Sequence, residues 1–332
     1  MKCLGCFKST KYIYCPKCKK ELFDNQKIDF KLDFDKKEFL STKIELSDKM
    51  SISGVQDKIA LKIEDNKLAP TIKDSQYLLK PIPLMDYGEL LNDVACNEHF
   101  TMQLAFQVYK IPTAINALIS FSDGELAYIT KRFDRIDGIK IKQEDFASLD
   151  MRSEATHGKS YKYDYSYEQI ANLIKKYLPA YKLELIKFFK QIVFNYLVGN
   201  GDAHIKNFSV IQRETKDYTL SPAYDLLSSS LHIPNESRTA LELFKDYDTP
   251  AFQANGFYSY DDFIKFAQMI GIDEKIANKI IEEFISYEAK TLDLLEISFL
   301  SDEGKHRYKK LYLDRLKAVR YRYIAYIGAT GQ

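Results

Sequence analysis

Hydrophobic and polar residues follow two different periods along the chain, and the change to mostly helical spacing comes at residue 167. Before it, short apolar runs bounded by polar residues predict β-strands. These runs cover residues 59–63, 76–80, 114–121 and 126–133. An Asp-Gly pair at 123–124 joins the last two into a predicted hairpin. Residues 89–109 have helical spacing and predict a helix that buries Leu90, Val94, Phe100, Leu104 and Val108.

After residue 166 the spacing becomes helical over most of the remaining chain. The predicted helices cover residues 167–177, 182–197, 260–270, 273–289 and 304–326, and residues 208–212 and 217–220 predict a small hairpin. Residues 26–50 are charged and mixed, and we expect a connecting arm with a strand or two there. The predicted fold class is α+β, with a small β-rich lobe, a larger α-helical lobe and a site in the cleft between them.

Composition limits the class of protein but says little about its chemistry. The chain has 332 residues, of which 45% are hydrophobic and 29% charged, as is typical of a globular protein with two or more cooperating subdomains. We expect a Cys-rich segment over 1–25, the small lobe over 26–135 and the helical lobe over 136–332. The net charge of +1 argues against a dedicated nucleic-acid-binding surface.

The pattern contains no targeting or membrane signal. The start, MKCLGCFKST, has no apolar h-region, and no apolar run reaches the roughly 20 residues that a membrane-spanning helix needs. We therefore expect a cytoplasmic protein without a membrane partner, while secretion as an effector into another cell stays open. In a reducing cytosol, the five cysteines are expected to be thiols or metal ligands before disulfides.

Four cysteines form a CxxC-x8-CxxC pattern at the start of the chain. Two tight turns that each present two thiolates provide the tetrahedral set of four sulfurs that zinc prefers. The four residues are Cys3, Cys6, Cys15 and Cys18. Because the protein supplies all four ligands, this zinc-ribbon-like site would be structural. The alternatives are reduced surface thiols in a loose tail or disulfides acquired on purification, and Cys96 is expected in the core.

The stretch GNGDAHIKN places a dense group of polar side chains between two apolar runs. Asp202 precedes Asn207 by five residues, the interval at which protein kinases place a catalytic Asp and a magnesium-binding Asn. A divalent ion that bridges phosphates needs a second carboxylate, and Asp225 supplies one after the predicted hairpin. The spacing alone is common. Together with Asp225 and the two-lobed layout, it favours phosphoryl transfer over a plain polar loop.

The small lobe supplies a candidate loop and a candidate lysine for binding phosphates. The loop SISGVQDK at 51–58 precedes an apolar run but has a single glycine, so its pattern is weak by itself. Lys80 ends the predicted strand QYLLK, and Glu98 lies on the following helix, where it could pair with the lysine. Taken alone, the two residues would be solvated surface charges.

Seven short motifs occur in a fixed order and together resemble one family. They are SISGVQDKIAL, YLLKP, NEHFTM, ITKRFDR, QEDF, NGDAHIKNFSVI and SPAYDLLS. The chain resembles the HipA-like serine/threonine protein kinases, which are toxins of bacterial toxin–antitoxin modules. The motifs span residues 51–230, and NEHFTM and the two serines of SIS favour the short HipT type. The resemblance implies a two-lobed protein-kinase-like fold that uses ATP and Mg²⁺.

The resemblance also implies a role for each matching residue of the large lobe. Asp202 would be the catalytic base, and Asn207 and Asp225 would bind Mg²⁺. His204 and Lys206 would lie near the γ-phosphate, although His204 alone is more often a structural residue that orients a loop.

In the small lobe the resemblance implies the ATP-binding residues. Lys80, supported by Glu98, would contact the α- and β-phosphates. The other nucleotide contacts would come from the loop residues Ser53, Gly54, Val55, Gln56 and Lys58, and from a hinge at Lys131, Arg132 and Phe133.

Regulation and partners follow from the same resemblance. Ser51 and Ser53 would be autophosphorylated, which ejects the loop and stops ATP binding, because a phosphate adds nearly two negative charges beside those of ATP. Ordinary hydroxyls that bond the backbone are the alternative. The implied partners are an aminoacyl-tRNA synthetase as substrate, a small HipS-like inhibitor and a helix-turn-helix HipB-like antitoxin, through which alone DNA would be contacted.

The chain departs from the familiar kinase pattern at one motif. Asp225 is followed by Leu226 and Leu227, so no D-F-G switch is implied. The Cys-rich start is a separate feature that the seven motifs do not include. The competing functions are a small-molecule phosphotransferase, because antibiotic kinases use a similar loop, and a catalytically inert regulator. The polar stretch at 152–164, with His157 and Lys159, is expected to be a mobile loop able to touch a protein substrate.

Overall fold

The computed structural model describes residues 1–47, 57–83, 88–136 and 138–323. The predicted change of period along the chain is accompanied by a change of architecture. An antiparallel sheet dominates before it, and helices dominate after it. The predicted arrangement of a small β-rich lobe followed by a larger helical lobe is therefore present.

In its described residues, the small lobe contains a five-stranded sheet and three helices. Its strands are β1 (Ile59–Glu64), β2 (Lys67–Pro70), β3 (Tyr77–Lys80), β4 (Asn116–Ser120) and β5 (Leu126–Lys131), in the order β2-β1-β3-β5-β4. Its helices are α1 (Pro16–Phe23), α2 (Lys36–Ser47) and α3 (Val94–Gln107), the last preceded by a 3-10 turn at Leu91–Asp93. The four predicted strands and the hairpin are confirmed. The unpredicted β2 pairs with β1 across a tight turn at Asp65 and Asn66, which both have positive φ.

Helix α3 packs against β4 and β5 and is buried on nearly all sides. Its predicted apolar residues, such as Phe100 and Leu104, are fully buried. Its polar residues Asn97, Glu98 and His99 are buried as well. Because polar side chains are seldom buried without a partner or a role, this helix does more than fill the core.

The N-terminal segment covers the face of the sheet opposite to α3. Successive strand residues point to opposite faces, and Ala117 and Ile129 accordingly join a core that includes Phe23 of α1. Their neighbours Leu118 and Tyr128 pack on the α3 side. The Cys-rich segment and the sheet thus share one core, and the segment boundaries at 25 and 135 stay predictions.

The strand or two expected in the arm at 26–50 is wrong for its described part, which forms α2 over Lys36–Ser47 and, before that helix, only an isolated bridge between Lys31 and Ser120. Asp35 caps this helix: its Oδ1 accepts the N–H groups of Lys37 and Glu38 at 2.8 and 2.9 Å. Glu38 in return accepts the N–H of Asp35 at 2.8 Å. This reciprocal capping starts a helix. Charged residues of good helix propensity then continue it.

The large lobe is mainly helical. Its strands are β6 (Arg135–Ile136), β7 (Ile139–Lys140), β8 (Gln143–Asp145), β9 (Ser209–Gln212) and β10 (Tyr218–Leu220). Its helices are α4 (Phe146–Leu149), α5 (Glu154–His157), α6 (Tyr167–Tyr177), α7 (Tyr181–Val198), α8 (Pro250–Asn255), α9 (Tyr260–Met269), α10 (Glu274–Ser286), α11 (Glu288–Glu296) and α12 (Asp302–Arg320). The predicted hairpin β9–β10 is confirmed, and β8 adds a third strand to it.

Helix α7 is the centre of this lobe and contacts α6, α10 and α12. The predicted extent of α6 is confirmed, and Ser166 and Gln169 form its capping box. The single helix predicted over 273–289 is wrong. The chain leaves helical geometry at Tyr287, whose ψ is 5°, and α11 starts anew after it. The ring of Tyr287 packs against Tyr109 of the core, with centroids 5.4 Å apart.

Candidate active site

Lys80, the last residue of β3, lies between two carboxylates. Its Nζ donates to Glu98 Oε1 at 2.6 Å and also contacts Asp225 Oδ1. Lys80 and Glu98 are only 6% and 1% exposed, so the alternative of solvated surface charges is wrong. Burying an ion pair costs desolvation energy that the attraction repays only in part. Such costly arrangements concentrate at functional sites.

Burial and charge act in opposite directions on these three groups. Burial raises the pKa of Glu98 to about 7, and the attraction of Lys80 offsets the rise only in part. Burial lowers the pKa of Lys80, but Asp225 and Glu98 outweigh it, so the net pKa lies above the usual lysine value. Burial also opposes ionisation of Asp225, yet Lys80 and Lys58 hold its pKa below the usual range. At neutral pH, Lys80 is therefore charged and Asp225 ionised.

The backbone also helps to fix the position of Asp225. Its φ is 53°, in the left-handed region that residues other than glycine adopt only at an energetic cost. Two residues earlier, Ala223 bonds to the segment that leads from α3 into β4. The N–H of Ala114 donates to the carbonyl of Ala223 at 2.9 Å, and the N–H of Ala223 donates to Pro112 at 2.8 Å. These bonds across the cleft fix the turn from which Asp225 reaches Lys80.

The loop GNGDAHIKN follows the buried helix α7. Gly199 ends the helix with a φ of 65°, a conformation that favours glycine. Asn200 Oδ1 accepts the N–H of Asp202 at 3.2 Å, and Tyr167 donates its hydroxyl to the carbonyl of Ala203 at 3.0 Å. The carboxylate of Asp202 itself is 35% exposed. A fixed backbone thus presents an accessible carboxylate, as a general base requires.

Asn207 has the chemistry of a metal ligand. It lies in the 3-10 turn Ile205–Asn207, and its Oδ1 is buried without a hydrogen-bond partner among the described residues. Leaving such an oxygen unpaired costs free energy. Carboxylate and amide oxygens are donors that suit Mg²⁺. Asn207 and Asp225 therefore fit the predicted ion.

His204 immediately precedes this turn, and Lys206 lies within it. His204 Nε2 is 3.9 Å from Asp202 Oδ1, and burial lowers the pKa of the ring even though Asp202 attracts the proton. The imidazole is therefore neutral at pH 7. Lys206 Nζ pairs with Asp145 Oδ2 at 3.2 Å, and the Lys206 carbonyl accepts the Tyr224 hydroxyl at 2.9 Å. Their place beside a γ-phosphate stays a prediction.

A cavity of about 310 Å³ opens beside Lys80, within the size range of ligand sites. Its lining includes Lys58, Lys80, Glu98, Tyr128, Lys131, Arg132, Phe133, Tyr224 and Asp225. At the predicted hinge, the N–H groups of Lys131 and Arg132 donate to the carbonyls of Ile115 and Gln76, both at 2.8 Å. Because these two N–H groups are already bonded, an adenine would have to bond the other main-chain groups of residues 131–133.

Most of the predicted phosphate-covering loop lies outside the described residues. This applies to Ser51, Ser53, Gly54, Val55 and Gln56. Lys58 is described and lines the cavity. Burial lowers its pKa, and the attraction of Asp225 offsets that effect in part. Lys58 is thus a second cation on the same side of the cleft as Lys80.

The sequence and the fold both match known proteins. Residues 50–291 match the family model described as the HipA-like C-terminal domain. A Haemophilus influenzae protein named "Putative kinase" is 31% identical over 312 residues, which are 89% of each chain. The chain belongs to the HipA-like family.

Two solved structures share the fold of this HipA-like chain. HipA of Shewanella oneidensis, solved with HipB and its operator DNA, has a TM-score of 0.62 at 20% identity, over 87% of this chain and 72% of that one. The Helicobacter pylori proinflammatory kinase CtkA has a TM-score of 0.50 at 16% identity, over 78% of this chain and 93% of that one. The predicted two-lobed kinase-like fold is confirmed. Within the described ranges, no helix combines the length and the apolar character needed to span a membrane.

The four N-terminal cysteines of this HipA-like chain meet at one point. Their sulfurs all lie within 4.8 Å of one another, and those of Cys6 and Cys15 are 3.7 Å apart. Zinc–sulfur bonds of about 2.3 Å in a tetrahedron require sulfurs roughly 3.8 Å apart. Hydrogen bonds with Cys18 and Cys6 lower the pKa of the Cys3 thiol. The residues fit a structural zinc, and the loose-tail alternative is wrong because Cys3 and Cys18 are buried.

The cysteine turns are fastened to the elements that carry the site. His99, next to Glu98 on α3, donates from Nε2 to the carbonyl of Gly5 at 3.2 Å, and its ring lies 4.8 Å from that of Phe7. On the sheet side, Tyr14 donates its hydroxyl to the carbonyl of Leu118 at 2.6 Å. The segment therefore supports both α3 and β4. Cys96 is buried in the core, as expected.

Sequence reasoning missed two contacts of the GNGDAHIKN loop. Tyr163 donates its hydroxyl to Asp202 Oδ1 at 2.5 Å. Ser229 Oγ accepts the N–H of Gly201 at 2.7 Å and donates to Glu236 at 2.6 Å. Tyr163 lies in the polar stretch expected to touch a substrate, but nothing in its spacing links it to Asp202. Only the fold brings together residues so far apart in the chain.

Proposed function

We propose that this HipA-like chain is an ATP-dependent serine/threonine protein kinase of a toxin–antitoxin module. The observation that carries the proposal is the buried contact of Lys80 with Glu98 and Asp225, beside a cavity of about 310 Å³. Asp202 adds an accessible carboxylate on the adjoining loop. Charge neutralisation at phosphates and a base for the acceptor are the two functions that phosphoryl transfer needs.

In the proposed reaction, the oxygen of a serine or threonine hydroxyl attacks the γ-phosphorus of ATP. The bond between that phosphorus and the β,γ-bridging oxygen breaks, and ADP leaves with the electron pair. Asp202 accepts the proton of the hydroxyl. Lys80, oriented by Glu98, neutralises charge on the α- and β-phosphates.

Other residues support this transfer. The groups that would hold Mg²⁺ are Asn207 and Asp225, and the ion supplies further charge neutralisation at the phosphates. His204 and Lys206 would face the γ-phosphate. The proposed adenine contacts come from the hinge at Lys131, Arg132 and Phe133, and the proposed phosphate cover is the loop with Ser53, Gly54, Val55, Gln56 and Lys58.

The proposal includes regulation and partners. Phosphorylation of Ser51 or Ser53 by the enzyme itself would exclude ATP by charge repulsion. HipA of Shewanella oneidensis was solved in a complex with HipB and its operator DNA, and we propose a HipB-like helix-turn-helix antitoxin here, with DNA reached only through it. A HipS-like inhibitor, an aminoacyl-tRNA synthetase substrate and a cytoplasmic site of action complete the proposed short HipT type.

The test compares wild type with Asp202→Asn after expression in a test bacterium. Phosphoproteomes should show serine phosphates on a synthetase or another translation factor only with the wild type. The purified variant should transfer phosphate about 10²- to 10⁴-fold more slowly and bind ATP equally well. Asp217→Asn, which changes an exposed carboxylate on the β9–β10 hairpin, is the matched control.

Two results would reject the proposal. Transfer to a metabolite without any protein acceptor indicates a small-molecule phosphotransferase. Full toxicity of Asp202→Asn indicates a regulator that does not need the chemistry.

We also propose that Cys3, Cys6, Cys15 and Cys18 hold one structural zinc. Elemental analysis of the purified chain should give about one zinc per molecule. Cys18→Ser should lose it, whereas Cys96→Ser, which changes the core cysteine, should retain it. A wild-type content well below one zinc per chain would reject this site.

A further inference from the structure

The hydroxyl of Tyr163 occupies the position next to Asp202 that a phosphate acceptor needs. It donates to Asp202 Oδ1 at 2.5 Å. A general base must lie within hydrogen-bond reach, roughly 2.6 to 3.2 Å, of the hydroxyl whose proton it takes. Tyr163 meets that condition at the carboxylate oxygen it contacts. A substrate hydroxyl at the same oxygen would have to replace it.

The segment around Tyr163 is docked on the catalytic loop by several contacts. The carbonyl of Lys162 accepts the N–H of Ile205 at 3.3 Å. The ring of Tyr163 meets that of His204 edge-on, with centroids 5.2 Å apart. Arg152 donates to the carbonyl of Asp164 at 2.9 Å. The tyrosine is therefore aimed at Asp202 by its neighbours.

These contacts are also easy to exchange. Tyr163 is 41% exposed, so its departure from Asp202 breaks no core packing. It also forms part of the wall of a cavity of about 430 Å³, together with Asp202, Gly201 and Glu236. This cavity shares no lining residue with the cavity beside Lys80. An acceptor bound in it would contact both Tyr163 and Asp202.

We propose that Tyr163 is an internal stand-in for the acceptor hydroxyl, and that a protein substrate must displace it to reach Asp202. The inference rests on the proposed kinase function, because it assigns Asp202 as the base. It implies that phosphate transfer to weakly bound acceptors is held back in the resting protein. A cognate substrate overcomes the restraint with its own binding contacts.

The test uses the full chain with Tyr163→Phe, which keeps the ring and removes the hydroxyl. Two acceptors are assayed with Mg-ATP: water, by release of inorganic phosphate, and dephosphorylated casein, by transfer of labelled phosphate. We expect both rates to rise by roughly ten-fold, the effect of removing one competing hydrogen bond to a charged group. Tyr161→Phe makes the same change two residues away, at a ring that packs against the core, and should leave both rates unchanged.

Asp202→Asn in the Tyr163→Phe background should abolish the gain, which ties the effect to the base. Equal or lower rates for Tyr163→Phe, at unchanged ATP affinity, would overturn the inference and make Tyr163 a positioning residue. Phosphate found on Tyr163 of the wild type would also overturn it, because the tyrosine would then be an acceptor. Failure of the kinase proposal looks different: no variant would show Asp202-dependent transfer.

Discussion

The two sides of the cleft hold their charges in contrasting ways. On the side of Lys80, the lysine pairs with both Glu98 and Asp225, and Lys80 and Glu98 are almost completely buried. On the side of Asp202, the carboxylate is partly exposed and is bonded to an exposed tyrosine. Disturbing the first arrangement costs a large amount of folding free energy. The second arrangement can exchange hydrogen-bond partners at a small cost in free energy. In the proposed kinase, the nucleotide phosphates meet the first side and the variable acceptor meets the second.

Lys80→Met should cause the largest loss of stability. It leaves the buried Glu98 beside the partly exposed Asp225 without their shared cation, and removing one partner of a buried ion pair costs about 3 to 5 kcal/mol of unfolding free energy. Lys62→Met is the matched control on the neighbouring strand β1, because its pair with Glu64 is largely exposed and contributes less than about 1 kcal/mol. Urea unfolding of both variants measures the difference. Equal, small losses would contradict the buried arrangement.

The pH dependence of stability also tests the side of the cleft that holds Lys80 and Glu98. The folded-state pKa of Glu98, about 7, lies above the ordinary value of 4.5, so the folded protein binds this proton more tightly. The free energy of unfolding should therefore fall as the pH rises from about 4.5 to above 7, by up to about 3 kcal/mol from this group.

Glu98→Gln isolates that contribution, because the amide does not titrate. Urea unfolding of the nucleotide-free wild type and variant at about pH 5 and about pH 8 should show that only the wild type has this loss. If the free energies of unfolding of wild type and variant differ by the same amount at both pH values, this would contradict the raised pKa of Glu98.

Gly201→Ala addresses the side of Asp202. A Cβ at this position would overlap the carboxyl group of Glu236, which Ser229 and Ser230 hold in place. The shift of the loop should slow phosphate transfer roughly ten-fold through overpacking, with ATP affinity unchanged. Adding Glu236→Ala removes the overlap and should restore part of the rate. A double variant no faster than Gly201→Ala would mean that the loop is damaged in another way.

Asp145→Asn should have the smallest effect. It removes the charge that Lys206 pairs with at 3.2 Å, but the asparagine can still cap α4, where Asp145 accepts the N–H of Ser148. Because both partners are partly exposed, the unfolding free energy should change by less than about 1 kcal/mol in urea. A loss as large as that of Lys80→Met would erase the contrast between the two sides.

Local patterns in the sequence predicted most of the regular structure. Period-two runs placed β1, β3, β4 and β5, and helical spacing placed α6 and α7. The pattern failed at α2, whose start depends on a capping exchange between Asp35 and Glu38. It also failed at the break between α10 and α11, which depends on the packing of Tyr287 in the folded core.

The candidate site was predictable where the residues lie in motifs of fixed order, and less so elsewhere. Lys80, Glu98 and Asp225 were predicted in this way, and the structure brings them together. The contact of Tyr163 with Asp202 has no such motif, because the partners are 39 residues apart and meet only through the docking of one loop on another. The left-handed backbone of Asp225 likewise depends on the fold, because aspartate tolerates this conformation but does not require it.

The position of Cys3 and Cys6 near the start of the chain also affects the order in which parts of the protein fold. Protein synthesis runs from the N-terminal end, so Gly5 is made long before His99, and Lys2 long before the carbonyls of Ile297 and Ser298 that its ammonium contacts at 3.0 Å. Contacts between such distant residues form late. A metal held by cysteines between residues 3 and 18 needs no such wait, because one short stretch supplies every ligand. With the proposed zinc bound, the stretch made early can fold around the ion at once, and it attaches to the rest of the molecule last.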